Sequence, residues 1–245
     1  MLEPNLKGKT AIITGAGQGI GREISFALAR CGCNVVLASR TEAQLEAVAK
    51  RIREEREGSR VIWVKTDITL EEDVKTLVRK TLSVFGKVDI LVNNAGTGIA
   101  LPITETRIED WDRMMNTNAR GAFLCSREVF KEMVRLHIPG MIVNIASLAG
   151  KKGYLYQSAY CASKFALIGF SKVLAMEGKQ FGIRVHCVCP GGVNTDFIKN
   201  MRPDIEPETL IQPQDIAETV VFLVSRRPEI VIDEVLIRRF AAEVM

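Results

Sequence analysis

Seven short apolar runs alternate with longer amphipathic stretches along this chain. The runs at 10–14, 34–39, 60–67, 88–93, 141–147, 184–190 and 234–238 are rich in Val and Ile. Several are apolar nearly throughout rather than at every second position. A strand with one wet face alternates, whereas a strand covered by helices on both faces does not, so these runs predict parallel strands. Between them, 19–31, 41–57, 71–85, 118–137, 158–180 and 213–225 read as helices. In the first, Ile20, Ile24, Ala27, Leu28 and Cys31 recur at the helical period. Thr41 suits an N-cap, and Glu71 and Asp73 suit the positive start of a helix. Regular strand–helix alternation predicts right-handed crossovers and an α/β fold with a doubly wound parallel sheet of about seven strands, helices on both faces. No linker or low-complexity stretch divides it, so residues 1–245 are expected to form a single domain.

The 158–180 segment breaks the amphipathic rule. Between Ala159 and Met176 its polar residues are few: Ser163, Lys164, Ser171 and Lys172. Such a helix has to be covered on more than one side. The sheet covers one face and a second copy of the chain is the natural cover for another, so a homo-oligomer is expected.

Composition narrows the function classes. With 47% hydrophobic and 25% charged residues, the chain is an ordinary globular protein rather than a disordered one. A net charge of +4, with no block of like charge, gives nucleic-acid binding no support. No N-terminal signal pattern is present, and no uninterrupted apolar run approaches the roughly 18 residues needed to span a bilayer. A cytoplasmic protein without a membrane partner is expected. Cys31/Cys33 and Cys187/Cys189 are each separated by one residue, and no Cys-x-x-Cys occurs, so no metal site is expected.

The first strand runs into Gly15-Ala16-Gly17-Gln18-Gly19-Ile20-Gly21, and a helix follows. Glycines let the backbone turn tightly against a pyrophosphate, and the helix start offers free N–H groups and positive dipole. In a chain of alternating strands and helices this points to a Rossmann-type dinucleotide site, although position 20 is Ile where a strict G-x-G-x-x-G register needs glycine. The second strand ends at Ser39-Arg40, nineteen residues past Gly21. A carboxylate there would hold a ribose 2′-OH; serine and arginine suit a 2′-phosphate, which selects NADP over NAD. The plain alternative is that Arg40 is a surface cation.

Tyr160 and Lys164 lie four residues apart, on one face of a predicted helix. A phenol titrates near 10, and a fixed cation beside it favours the phenolate, so Lys164 is expected to lower the Tyr160 pKa. Tyr154 and Tyr156, the other two tyrosines, have Ser158 and Tyr160 at that spacing instead.

In combination these motifs resemble the short-chain dehydrogenase/reductase family over residues 9 to about 223. Thr14-Gly15-x-x-x-Gly19-x-Gly21 resembles its cofactor turn and Asp67-Ile68 its adenine-contacting pair. Asn93-Asn94-Ala95-Gly96 is similar to the motif ending its fourth strand. Asn118, Ser147, Tyr160 and Lys164 match its catalytic set, and Pro190-Gly191, Val193 and Thr195 its nicotinamide-side loop. The resemblance implies hydride transfer between NADP(H) and a small carbonyl or alcohol. Tyr160 would be the proton donor or acceptor, Ser147 would bind the substrate oxygen, Lys164 would hold the nicotinamide ribose, and Asn118 would hold a water that links Lys164 to solvent. Taken singly, Ser147 and Asn118 could be caps, Asn94 a turn residue, and His137 and His186 purely structural.

Residues 192–212 are expected to form a substrate lid, with Phe197, Ile198, Met201, Ile205 and Leu210 apolar. Lys199, Arg202, Lys151 and Lys152 either meet an acyl-carrier or carboxylate group or are simply solvated. Two other functions stand beside simple carbonyl reduction: 3-oxoacyl-[acyl-carrier-protein] reduction, and cofactor sensing or scaffolding without catalysis. The ending 234–245 lacks the Asp-Gly-Gly common in the family, which shifts the expected assembly to a homodimer or an altered homotetramer. Light scattering at micromolar concentration should give a mass of two or four chains; a monomeric mass rejects the oligomer.

Overall fold

The computed structural model describes residues 5–202 and 205–242. Seven strands form one parallel sheet: β1 (Thr10–Thr14), β2 (Asn34–Ser39), β3 (Val61–Lys65), β4 (Ile90–Asn93), β5 (Met141–Ile145), β6 (Arg184–Pro190) and β7 (Glu234–Ile237). Their order is β3-β2-β1-β4-β5-β6-β7, so the chain reverses its direction of winding between β1 and β4. Helices α1 (Gly19–Arg30), α2 (Glu42–Glu55) and α8 (Pro213–Val224) pack on one face, and α3 (Glu71–Phe85), α5 (Ala122–Arg135) and α6 (Ser158–Gly178) on the other.

The continuous apolar runs have a direct cause. Along β1, Ala11 and Ile13 join a cluster with Ile24, Leu28, Ile216 and Val220, while Ile12 joins the opposite cluster with Val74, Leu77, Leu124 and Val129. All three β1 residues are fully buried, and burying each large side chain contributes about 1.5–3 kcal/mol. A polar residue at either parity would therefore be dry.

Four strands are shorter than the runs predict. At β3 the reason is a competing acceptor: the Asp67 backbone N–H donates to the Asp73 carboxylate in the first turn of α3, 2.8 Å away, and leaves the ladder. A larger departure lies before Asn118. Helix begins ten residues earlier, as α4 (Ile108–Met115), and continues through a π turn (Asn116–Gly121) into α5. Ile108 and Trp111 of α4 are exposed and its buried residues are Asp110 and Met114, so no apolar stripe announces it. Asp110 is stabilised by bonds from Arg107 and Arg113. Asn118 thus sits within a continuous helical path instead of starting one. At Gly121 a Cβ would fall 2.5 Å from Ile68 Cδ1, so the π turn and the loop after β3 interlock only around a glycine.

Judged by mean hydropathy instead of by uninterrupted runs, Ser158–Phe181 is long and apolar enough to cross a membrane, a test that core helices also pass. Half of that stretch is buried in the fold. A buried amide–hydroxyl chain anchors it: Asn93 Nδ2 donates to Ser126 Oγ and to Asn144 Oδ1, both at 2.8 Å, and Asn144 Nδ2 donates to Ser171 Oγ at 2.7 Å. This chain ties β4, β5, α5 and α6 together just below the strand ends.

Candidate active site

At the switch between β1 and β4 the strand ends diverge and leave a cavity of about 480 Å³. It is lined by all the predicted site residues except Gly21 and Asn118. Gly21 is a packing requirement instead, since a Cβ there would lie 2.3 Å from the Gly15 carbonyl oxygen. Asn94 holds the turn: its Nδ2 donates to the carbonyls of Thr14 (2.9 Å) and Gly15 (3.3 Å), and Thr14 Oγ1 accepts from the backbone of Asn94 and Ala95. Helix α1 starts at Gly19 with no side-chain cap and no acidic residue in its first turn. Its first N–H groups therefore face the cavity unmatched, which fits a pyrophosphate. At Gly17 a Cβ would meet Gln44 Oε1 at 2.8 Å, so a side chain there would have to displace Gln44.

At the end of β2, Ser39 and Arg40 also line the cavity. The next carboxylate, Glu42, pairs with Lys65 at 3.2 Å, and among the described residues Arg40 has no ion pair. Farther along, Asp67 Oδ1 accepts from the Thr69 N–H and hydroxyl. On the opposite side Thr195, with its Oγ1 donating to the Val193 carbonyl, packs its methyl against Gly19.

Three residues on α6 and the end of β5 make up the reactive corner. Ser147, two residues past β5, caps a 3-10 turn (Leu148–Gly150) by accepting from the Ala149 N–H, its Oγ donates to the Pro190 carbonyl at 3.4 Å, and it lines the same cavity as Tyr160. Lys164 Nζ donates to the Ile145 carbonyl at 3.0 Å and stands 5.8 Å from the Tyr160 ring centroid. Burial dominates both groups. It pushes the Tyr160 phenol up to about 12, offset only in part by the Ser147 hydroxyl, and drags the Lys164 ammonium down to about 8. The expected lowering of the Tyr160 pKa by Lys164 is therefore absent here: desolvation outweighs it, and the ammonium is directed at a carbonyl.

Asn118 lies behind this corner. Its Oδ1 accepts from Thr97 N, and its Nδ2 donates to Thr97 O and to Ser163 Oγ, at 2.8–2.9 Å. Both amide hydrogens are used in these bonds, and Ser163 Oγ in turn donates to the Tyr160 carbonyl, so Asn118 is tied to the turn of α6 that carries Tyr160.

The short chain dehydrogenase family profile matches residues 9–206. A short chain dehydrogenase/reductase of Aspergillus oryzae is 34% identical over 90% of this chain and 89% of its own. A 3-oxoacyl-[acyl-carrier-protein] reductase of Synechocystis is 35% identical over 89% and 90%. The solved alcohol dehydrogenase of Thermococcus sibiricus, complexed with 5-hydroxy-NADP, superposes with a TM-score of 0.89 at 28% identity, covering 97% of this chain and 99% of that one. The chain belongs to the short-chain dehydrogenase/reductase family. It is an oxidoreductase.

As a short-chain dehydrogenase/reductase the chain carries contacts that its sequence did not announce. Thr97 and Ser163 hold Asn118; the only signal for Ser163 is a polar residue in an apolar helix, three positions past Tyr160. Gln44 bonds Gln18 across the glycine turn, and nothing in the pattern of α2 singles it out. Residues 192–212, apart from Pro203 and Asp204, which lie outside the described residues, carry helix α7 (Asp196–Met201) and close on the reactive corner. The Phe197 ring packs 5.8 Å from that of Tyr160, and at Gly98 a Cβ would strike Phe197, Met201 and Tyr160 together. Lys151 is neither solvated nor aimed at the cavity: it is ion-paired with Glu234, which Lys172 also approaches at 3.5 Å.

Burial of Lys164 has a measurable sign. Its folded-state pKa of about 8 lies below the ordinary lysine value of about 10.4, so between those values the unfolded chain binds more protons and stability rises with pH. Below pH 8 both states are charged and the full penalty is present; above about 10.5 neither is charged and it is gone. Lys164→Met should therefore stabilise the cofactor-free protein at pH 7, by on the order of 2–3 kcal/mol. That advantage should shrink as pH rises from 8 to 10.5 in paired thermal unfolding. A variant less stable than wild type at pH 7 contradicts this account.

Proposed function

We propose that the protein is an NADP(H)-dependent oxidoreductase that interconverts a carbonyl and a secondary alcohol, with Asn118, Ser147, Tyr160 and Lys164 as its working set. The observation that carries this reading is that Ser147, Tyr160 and Lys164 line the same cavity as the uncapped start of α1. Nicotinamide, when bound, supplies or accepts the hydride. The side chains do the rest. Two hydroxyls converge where a substrate oxygen would sit, so that oxygen can accept from Ser147 while Tyr160 gives up its proton. With its pKa pushed to about 12, Tyr160 is a phenol at neutral pH and stands in the donor form that reduction needs. Lys164 is the cation nearest that proton, and Asn118, through Thr97 and Ser163, fixes the helix turn that carries both. Segment 192–212 acts as the lid that excludes water through Phe197 and Met201. The intact hydroxyl pair speaks against a sensor or scaffold role.

Cofactor choice follows from β2. Arg40, free of any described carboxylate, supports binding of a 2′-phosphate, and a solved relative's complex with an NADP derivative supports the same choice. The outward face of α6 supports assembly with further copies of the chain, since Phe165, Val173 and Met176 are exposed there. The name of the Synechocystis relative favours one substrate over simple ketones, a 3-oxoacyl thioester on a carrier protein. A much higher kcat/KM for acetoacetyl-carrier protein than for small ketones would select it.

Tyr160→Phe should cut NADPH-linked turnover by about 10²–10⁴-fold while NADPH still binds, as read by fluorescence titration. Activity close to wild type removes Tyr160 from the acid–base role. Arg40→Ala should raise KM for NADPH by about 10- to 100-fold and leave that for NADH nearly unchanged, in line with losing a charged hydrogen bond. Equal losses with both cofactors would mean that Arg40 does not read the phosphate.

A further inference from the structure

Past the hydroxyl pair, the cavity ends against a wall built from three distant segments. The loop after β5 supplies Lys152 and Tyr154, the end of α7 supplies Arg202, and the chain beyond β7 supplies Arg239 and Ala242. A smaller cavity of about 340 Å³ continues there, and among the described residues its lining includes the cations Lys152, Arg202 and Arg239 and no carboxylate. Among the described residues, two carboxylates reach the main cavity. Asp67 lies at the end of β3, occupied by Thr69, and Asp196 opens the first turn of α7.

The position of Arg239 is built. Arg238 Nη1 donates to the carbonyls of Arg239 (3.2 Å), Phe240 (3.3 Å) and Ala242 (2.8 Å), which folds the chain after β7 into a turn over the cavity mouth. Arg239 Nη1 donates to Thr209 Oγ1 of the lid segment at 2.9 Å. That bond uses one of five N–H donors and brings no negative charge, and Arg239 has no ion pair among the described residues. The charges of Arg239 and Arg202 reach the Tyr154 phenol, where they act against the burial that raises its pKa. A guanidinium held in place by a neutral hydroxyl at the edge of a partly apolar cavity is matched by a carboxylate or phosphate oxygen pair.

We propose that the substrate is a carbonyl compound, or its alcohol, that also carries an anionic group, and that Arg239 binds this group. Lys152 adds to the positive field, and the carbonyl is thereby oriented toward Ser147 and Tyr160. This deepens the reductase reading and rests on it. It also gives a function to a chain ending that departs from the family pattern: the residues after β7 close the substrate site.

The test pairs acetoacetate with methyl acetoacetate, and dihydroxyacetone phosphate with dihydroxyacetone, as NADPH-linked substrates of wild type, Arg239→Ala and Arg239→Lys. Wild type should prefer the anionic member of at least one pair, and the responding pair identifies carboxylate or phosphate. Arg239→Ala should raise KM for that anion by about 10- to 100-fold with kcat/KM for its neutral partner unchanged, and Arg239→Lys should restore part of the loss. Equal effects on both members, or a wild-type preference for the neutral ones, overturns the proposal. A second arm needs no turnover: calorimetric titration of succinate and of inorganic phosphate into NADP⁺-saturated protein. One of them should bind wild type and bind Arg239→Ala at least about tenfold more weakly. No binding to wild type, or equal binding to both, also overturns it. If anion binding depends on Arg239 while no carbonyl is turned over, the site stands and the reductase reading falls.

Discussion

The bond set between Asn94 and the end of β1 is the constraint on which this structure turns. Because the winding reverses between β1 and β4, no helix crosses the gap above their ends, and the two strands have to be joined there by side chains. Asn94 supplies the join, with donors to Thr14 and Gly15 and a backbone that meets Thr14 Oγ1. The glycine turn is thereby drawn against β4, the start of α1 is left pointing into the gap, and the cavity acquires a floor. Gly15 and Gly21 follow as a consequence, since any Cβ at either position would collide with that same join.

Charge inside this cavity is governed by burial. Tyr160 and Lys164 are both placed where water cannot reach, and each is driven toward its neutral form. A phenolate and an ammonium would offset one another's desolvation, but in this structure the ammonium is directed at the Ile145 carbonyl. The result is a neutral proton donor beside a weakly held proton. That arrangement suits a group that must release a proton to an oxygen gaining electron density, and it depends on α6 being fixed by Asn144–Ser171 below and by Asn118–Ser163 above.

The two ends of the cavity differ in how they are built. The dinucleotide side uses backbone at the ends of β1, β2 and β4, a rigid arrangement set by the sheet. The substrate side uses α7 and the turn after β7, which reach Tyr160 and Thr209 through single contacts. On the proposed reading, specificity would be carried by segments that owe little to the sheet, in keeping with a common fold that leaves substrate choice open.

The sheet, its doubly wound character and the glycine turn between β1 and α1 were all legible in the chain itself. Continuous Val/Ile runs can be stable only when covered on both faces, and a glycine cluster between the first strand and helix has a physical use when a phosphate binds there. Tyr160 and Lys164 were legible as a pair through their spacing, and Ser147 through the family resemblance. Helix α4 was not, because its buried side chains are an aspartate and a methionine and its stability comes from Arg107 and Arg113. The direction of the Tyr160 shift was also hidden: spacing shows that a cation is near, while only packing shows how much water has been removed. Asn118 was singled out by the family resemblance, but its partner Thr97, twenty-one positions away in sequence and within hydrogen-bond reach in space, was not legible. Arg239 lay in a tail whose sequence showed only a departure from pattern. Local periodicity and spacing are written in the chain because they depend on neighbours; burial, long-range partners and the wall of the substrate site were decided by tertiary structure, because they depend on what folds over them.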